Sequence, residues 1–456
     1  MTTVLSAHDH SRVRDLLTEL DLSDYVETQR NTGRYDLAAE FVRRWADQYR
    51  TAASLLERTD LSPELAEAML LLREITYPAA MQERSRVPSY YPYTCVNILD
   101  WYLDDCGEDL EAQKRKCIPG IVALLLEIGR FEMHSLIGCE PFQPLHFEPE
   151  FAIERIRMLK DVYTATVRLS EQIPGASIRP LSPRTYDNVI DYANEPGRLS
   201  ALIHFTCMPQ TRYHDEVLFL RSIHVSEFCF YGIRIAVVQA NDAINRGALA
   251  TARVCLQQAI AFTEVLHQIF RVVRNMPPLH FLDFRESAAN ASAVQSANYQ
   301  LMDAHLFGLS EHKRVLFQRI PHLDDMLRPY GPGFLCLRDV LKSIPLDDND
   351  AASLLETARE LDSKLLTWRG LHVGFANLYL ADIPIGTGGT SGAAYLKLFL
   401  RNTLFGETTI EPAADGQFSA PSAALSTTSI DHPDMHLAPP RDLIAPDKLP
   451  VNEPGE

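Results

Sequence analysis

Several features are absent from this 456-residue sequence, and each absence excludes a class of protein. The longest aliphatic run, residues 121–126, is far too short to cross a bilayer. None of the eight cysteines belongs to a Cys-x-x-Cys or Cys-x-x-Cys-His motif, so we expect scattered reduced thiols and no covalently attached haem. The 43 basic residues are outnumbered by 60 acidic ones and form no stripe, which argues against nucleic acid as a partner.

The N-terminus offers neither a charged leading segment nor an apolar stretch, so a secretory signal is not expected. Together with the reduced thiols, this predicts a cytoplasmic protein without a membrane partner. Apolar residues make up 46% of the chain, enough for a large core.

Helical periodicity dominates the sequence, period-2 alternation is scarce, and no internal repeat is visible. We therefore predict an all-α fold, a helical bundle. The predicted helices cover approximately residues 10–21, 35–58, 62–75, 108–130, 150–172, 214–246, 249–274, 292–307 and 350–381.

Three regions are predicted along the chain. Residues 1–180 form a helical N-terminal region of unknown role, and residues 181–405 contain every motif discussed below. Residues 406–456 carry eight prolines among Ala, Ser, Thr and Asp, and this composition predicts a disordered tail.

The predicted helix that begins at His214 has apolar side chains around most of its circumference, which indicates a helix in the middle of a bundle. Asp215 and Glu216 lie in its first turn, where carboxylates suit the positive end of the helix dipole. His224, further along this helix, is either a core histidine bonded to a backbone carbonyl or a functional one.

Two further segments carry candidate binding residues. Arg285 could hold a carboxylate through two parallel hydrogen bonds, or it could pair with Asp283 or Glu286 at the surface. His372 lies in the centre of an apolar stripe on the last long predicted helix, an environment that suits either a haem ligand or an ordinary core histidine. A glycine-rich turn with several hydroxyls follows at residues 385–392, without the lysine of a phosphate-binding loop.

Together these segments resemble the tryptophan 2,3-dioxygenases. The resemblance covers approximately residues 185–405 and depends on three elements in the family's chain order. They are His-Asp-Glu-x-Leu-Phe at 214–219, Phe-Arg at 284–285 followed by Ser292 and Gln-Ser at 295–296, and Trp-Arg-x-x-His-Val at 368–373 followed by the glycine-rich turn.

The resemblance implies a haem-binding helical core with an additional N-terminal helical region. It implies haem b as cofactor, dioxygen as co-substrate and His372 as the axial ligand of the iron. Arg285, Ser292, Thr387 and Gly388 would contact an aromatic amino acid substrate. A homo-oligomer is also expected, because the family commonly forms tetramers or dimers.

The resemblance further implies that Phe219, Ile223 and His224 form the wall on the oxygen side of the haem. The sequence departs from the family here, because the position of the family's histidine, four residues after Phe219, holds Ile223. At about 100° per residue, His224 points away from the row formed by residues 219, 223 and 227 unless a local bulge rotates it back.

The function implied is 2,3-dioxygenation of tryptophan or a derivative to a product of the N-formylkynurenine type. One alternative is a haem-dependent monooxygenase or hydroxylase of an aromatic amino acid in natural-product biosynthesis, which the displaced histidine favours. Another, of a different class, is a catalytically silent haem sensor or scaffold.

Overall fold

The structure is a computed structural model. It describes residues 20, 22–58, 60–85, 88–104, 106–138, 144–178, 197–288, 290–318, 320–331, 333–345, 349–380, 396–397 and 400–406. Over these residues the fold is all-α, as predicted: helices are joined by turns, with an isolated bridge between Leu145 and Tyr213.

The helices of the N-terminal half are labelled α1 to α7 in chain order. They are α1 (Leu22–Thr32), α2 (Ala39–Leu56), α3 (Pro63–Arg84), α4 (Tyr90–Thr94), α5 (Val96–Asp104), α6 (Leu110–Ile137) and α7 (Pro149–Gln172).

The helices of the C-terminal half are labelled α8 to α16. They are α8 (Arg198–Thr206), α9 (His214–Asn245), α10 (Leu249–Arg274), α11 (Pro278–Ala288), α12 (Ala297–Phe307), α13 (Glu311–Phe317), α14 (Pro321–Leu327), α15 (Leu337–Lys342) and α16 (Asn349–Tyr379).

Helix α9 lies at the centre of the molecule, as its sequence predicts. It packs against α6, α10 and α12, while α7 packs against α6 and α10. The approach of α10 is closest at Gly232, where a Cβ would lie 2.4 Å from the ring of Phe262. Glycine is therefore required at this crossing, since a side chain there would collide with a fully buried phenyl ring.

Helix α16 packs along α10 and also contacts α11. It brings the C-terminal motif alongside the two central helices. Among the helices of the described residues, none is both long enough and apolar enough to cross a membrane.

The long predicted helices are confirmed, and two of them closely. Residues 214–246 and 249–274 were predicted, and α9 and α10 occupy 214–245 and 249–274. Helix α3 continues beyond its predicted end, with Pro78 inside it. The short helices α4, α5, α8 and α11 were not predicted, and the predicted helix at 10–21 lies almost wholly outside the described residues.

Helices from both sides of residue 180 contribute to one apolar core, which extends from Tyr25 to Leu404. The boundary predicted near residue 180 falls within 179–196, outside the described residues, as does the tail beyond Gly406. The N-terminal helices are therefore part of the packing around α9.

Candidate active site

Helix α9 leaves a narrow strip of its surface uncovered. From His214 to Val237, every residue is buried except Phe219 and Ile223, which are partly exposed. Their spacing of four residues places them on the same face of the helix. Over this stretch the helix thus leaves one phenyl ring and one branched alkyl group partly exposed.

Aromatic rings connect this face of α9 to α11 and α16. Phe219 lies 5.7 Å from Phe281 and 5.5 Å from Phe284, measured between ring centroids, and Phe281 lies 5.8 Å from Phe375 of α16. We call these four residues the phenylalanine cluster. It brings the first sequence motif, the arginine segment and the last long helix together at one place.

His372 lies among aromatic rings on α16. Its ring centroid is 5.5 Å from that of Phe270 on α10 and 6.0 Å from that of Trp368. The side chain is partly exposed, and no hydrogen bond joins it to another described residue. Burial lowers the pKa of His372 to about 4, so the imidazole is neutral at physiological pH and its nitrogens are available to an external ligand.

Aromatic packing joins α16 to its neighbours on both sides of His372. Trp368 packs against Phe230 of α9, at a centroid distance of 5.4 Å. On α16, His372 lies between Trp368 and the phenylalanine cluster. On α9, Ile223 lies between Phe230 and the same cluster. The phenylalanine cluster therefore links the part of α16 that carries His372 to the strip of Phe219 and Ile223 on α9.

His224 is held on another side of α9. Its ring is fully buried, and Nε2 lies 2.6 Å from the carbonyl oxygen of Thr94 at the end of α4. Burial, reinforced by Arg221, lowers the pKa of His224 to about 3. Helix α9 is α-helical throughout this stretch, without a bulge that would turn His224 toward Phe219. The structure thus holds His224 on a different side of α9 from the strip of Phe219 and Ile223.

Arg285 lies on α11, four residues after Phe281, which places the two side chains on the same side of that helix. The side chain is partly exposed. Burial lowers the pKa of Arg285, and Glu286 acts in the opposite direction, but the guanidinium remains charged at any working pH. A permanent positive charge therefore lies within one helical turn of the phenylalanine cluster.

Ser292 caps the single 3-10 turn Ala293–Gln295 in the segment after α11. Its hydroxyl accepts a hydrogen bond from the Val294 amide at 3.4 Å, and the Gln295 side chain reaches back to the Ser292 amide at 3.4 Å. The same Gln295 oxygen accepts a bond of 2.8 Å from the amide of Tyr90. Ser292 thus shapes the backbone that follows Arg285, and its predicted contact with substrate stays a prediction.

Glu227 is a residue whose importance the sequence motif did not reveal. Its buried carboxylate accepts hydrogen bonds from the hydroxyls of Tyr90 (2.5 Å) and Ser296 (2.6 Å) and from the side-chain amide of Asn298 (3.0 Å). Burial raises the pKa of Glu227 despite these donors. The carboxylate fastens the segment after Arg285, and helix α4, to the central helix α9. Its position in the row of residues 219, 223 and 227 was a signal, but its partners lie far away in sequence.

The glycine-rich turn lies outside the described residues, so the predicted contacts of Thr387 and Gly388 stay predictions.

Comparison with known proteins finds similarity to the same family that the sequence motifs resemble. Residues 196–326 match the family described as tryptophan 2,3-dioxygenase. Over 229 residues the chain is 27% identical to a protein named tryptophan 2,3-dioxygenase from an Anaeromyxobacter species, covering 43% of this chain and 84% of that relative. A protein of the same name from Caulobacter vibrioides is 26% identical over 236 residues, 44% of this chain and 89% of the relative.

Proposed function

We propose that this chain, which is similar to the tryptophan 2,3-dioxygenases over residues 196–326, is a haem-dependent oxygenase of an aromatic amino acid. The proposed reaction is insertion of dioxygen into an indole ring, with tryptophan or a derivative as substrate. The observation that supports this proposal best is the position of His372. Its neutral imidazole, free of hydrogen bonds to the described residues, lies on the helix that the phenylalanine cluster joins to the uncovered strip of α9.

The residues of this region suit a haem. A porphyrin is a large, flat and apolar group. Phe270 and Trp368 place aromatic rings beside His372, and Phe375 of the phenylalanine cluster follows one helical turn later on α16. A neutral imidazole is the form that coordinates iron. When bound, haem supplies an iron centre for dioxygen activation, with His372 as its protein ligand.

The protein's own contribution is to bind and orient the substrate. In the proposed arrangement the guanidinium of Arg285 holds the substrate carboxylate, and Thr387 and Gly388 contact its amino-acid head group. The phenylalanine cluster then packs against the aromatic ring. Holding both reactants in one apolar space removes much of the entropic cost of bringing them together.

The oxygen-side wall of the proposed site is apolar. Phe219 and Ile223 carry no proton acceptor, while the ring N–H of His224 donates to the backbone carbonyl oxygen of Thr94. This observation favours a second candidate, monooxygenation or hydroxylation of the aromatic ring, because the family's imidazole is missing from the site. Both candidates share the cofactor, the substrate class and the role of Arg285.

Product analysis under isotopically labelled dioxygen distinguishes the two candidates. The haem-reconstituted protein is incubated with tryptophan, tyrosine and methylated indoles, and the products are analysed by mass spectrometry. Two labelled atoms in a ring-opened product support dioxygenation, and one labelled atom in an intact ring supports monooxygenation. Failure to oxidise any compound of the panel, with haem fully bound, would contradict the proposed oxygenase function and favour a haem sensor.

A further inference from the structure

A small cavity of about 20 Å³ lies between the N-terminal helices and α9, on another side of that helix from Ile223. Three arginines line it: Arg30 of α1, Arg130 of α6 and Arg221 of α9. Glu127 is the one acidic residue of its lining, so the cavity wall carries an excess of two positive charges. Neither Arg30 nor Arg130 belongs to the segment that matches the tryptophan 2,3-dioxygenase family.

The charge of Arg130 is already balanced. Its guanidinium lies 3.0 Å from the Glu127 carboxylate, through Nη2, and Nε makes a second contact at 3.3 Å. Burial opposes ionisation of Glu127, yet Arg130, Arg221 and Arg30 together hold the pKa of this carboxyl below its ordinary value. The cavity is therefore a place where negative charge is stabilised.

Arg221 is buried and donates to uncharged acceptors. Its Nη1 donates to the hydroxyl of Thr206 at 2.6 Å, and its Nη2 donates to the carbonyl oxygen of Ile203 at 2.7 Å. These bonds fix the orientation of the guanidinium but supply no counter-charge. Glu127 also lines the cavity, but its ion pair is with Arg130, and an anion in the cavity would lower the cost of burying the Arg221 charge.

Arg30 has only long contacts to backbone carbonyl oxygens, 3.4 Å to Cys207 and 3.5 Å to His204. Burial lowers the pKa of the Arg30 guanidinium; Cys207 and Glu127 oppose this shift, while the charges of Arg221 and Arg130 add to it. Arg30 and Arg221 thus make their hydrogen bonds to neutral protein acceptors, and Glu127, already paired with Arg130, is the one acidic residue that lines the cavity with them.

We propose that Arg30, Arg130 and Arg221 form a binding site for an oxyanion, the carboxylate or phosphate group of a small metabolite. Planar guanidinium groups bind such oxygens through paired, charge-assisted hydrogen bonds. The small volume admits only the charged end of a ligand, so any remaining part must extend from the cavity mouth. This inference does not depend on the haem or on the proposed oxygenase reaction.

The test uses the purified full-length chain and three sodium salts at constant ionic strength: phosphate, acetate and chloride. Calorimetric titration is expected to show saturable binding of phosphate or acetate that exceeds any binding of chloride. If phosphate binds more tightly than acetate, the natural ligand carries a phosphate group; if acetate binds more tightly, it carries a carboxylate. Absence of saturable binding by both oxyanions would overturn the proposal.

Two variants and a matched control locate the site. Arg30→Gln and Arg130→Gln each remove one positive charge and are expected to weaken oxyanion binding by about tenfold or more, the effect of a lost charge-assisted bond. The control is Arg157→Gln on α7, whose side chain is 71% exposed and pairs with Glu154. Circular dichroism verifies that each variant is folded. Equal affinity in wild type, Arg30→Gln and Arg130→Gln would overturn the proposal.

Discussion

Replacing His224 by alanine tests whether this histidine is structural or catalytic. The structure predicts that the change lowers the stability of the protein and does not remove a catalytic group. The fully buried ring bonds to the Thr94 carbonyl at 2.6 Å. Its loss leaves that carbonyl without this partner, at a cost of about 1–3 kcal/mol, and the cavity left by the ring adds about 2 kcal/mol. The expected loss in the free energy of unfolding is therefore about 3–5 kcal/mol.

Ile223→Ala is the matched comparison, one residue away on the same helix. Because Ile223 is partly exposed, we expect this change to cost only about 1 kcal/mol of stability. It also removes part of the proposed wall beside the substrate, which is expected to lower kcat/KM by about tenfold. Urea unfolding followed by circular dichroism measures stability, and turnover is expressed per bound haem.

The opposite pattern would refute this reasoning. Loss of a general base or acid typically lowers turnover by about 100-fold to 10,000-fold. A His224→Ala protein with nearly wild-type stability and a loss of this size would show that His224 reaches the reacting groups, contrary to its observed contact with Thr94.

Three other predictions follow from single contacts. Arg285→Ala should raise KM for an amino-acid substrate by about 100-fold while leaving haem content unchanged, and unaltered steady-state kinetics would exclude its role as the carboxylate clamp. Gly232→Ala should lower the free energy of unfolding by about 1–3 kcal/mol, because the new methyl group would lie 2.4 Å from the ring of Phe262. Gly370→Ala is the control: a Cβ there meets no atom within 4 Å, so the change should be neutral or stabilising in the same denaturation assay. Burial lowers the pKa of His305 from 6.5 to about 3, so its neutral form contributes stability above pH 6.5 that is lost as the pH falls toward 3. His305→Leu should therefore reduce the slope of unfolding free energy against pH on the acid side by up to about 1.4 kcal/mol per pH unit.

The parts of the fold that the sequence predicted are those with a strong local signal. The continuous apolar pattern from His214 and the periodic pattern from Leu249 predicted α9 and α10 almost to the residue. Helix α11 was missed because it has only 11 residues and begins at Pro278, directly after Pro277, in a pair of prolines that is typical of a turn. Helices α4 and α5 are shorter still, and their packing against α9 is decided by tertiary contacts.

The sequence motifs identified candidate site residues, but they did not determine which partners those residues contact. Sequence spacing placed Phe219 and Ile223 on one face of a buried helix, and in the structure these two residues are the partly exposed ones between His214 and Val237. The partner of His224 could not be predicted, because Thr94 lies 130 residues away in the chain. The same holds for Glu227, whose hydrogen-bond partners come from α4 and from the segment beside α12.

The N-terminal helices have a structural reason to be present. They contribute to the core around α9, supply the carbonyl that holds His224, and provide Arg30 and Arg130 to the proposed oxyanion site. An N-terminal truncation would therefore remove one side of the packing of the central helix.

Haem titration of wild type and His372→Ala, followed by absorption and magnetic circular dichroism, tests the central claim most directly. The control is His267→Ala on the neighbouring helix α10, whose ring nitrogen bonds to the Lys364 carbonyl. We predict that wild type and His267→Ala bind one haem with the spectrum of a histidine-ligated iron, and that His372→Ala loses that spectrum. A wild-type protein that binds no haem, or a His372→Ala spectrum identical to the wild-type one, would contradict the account.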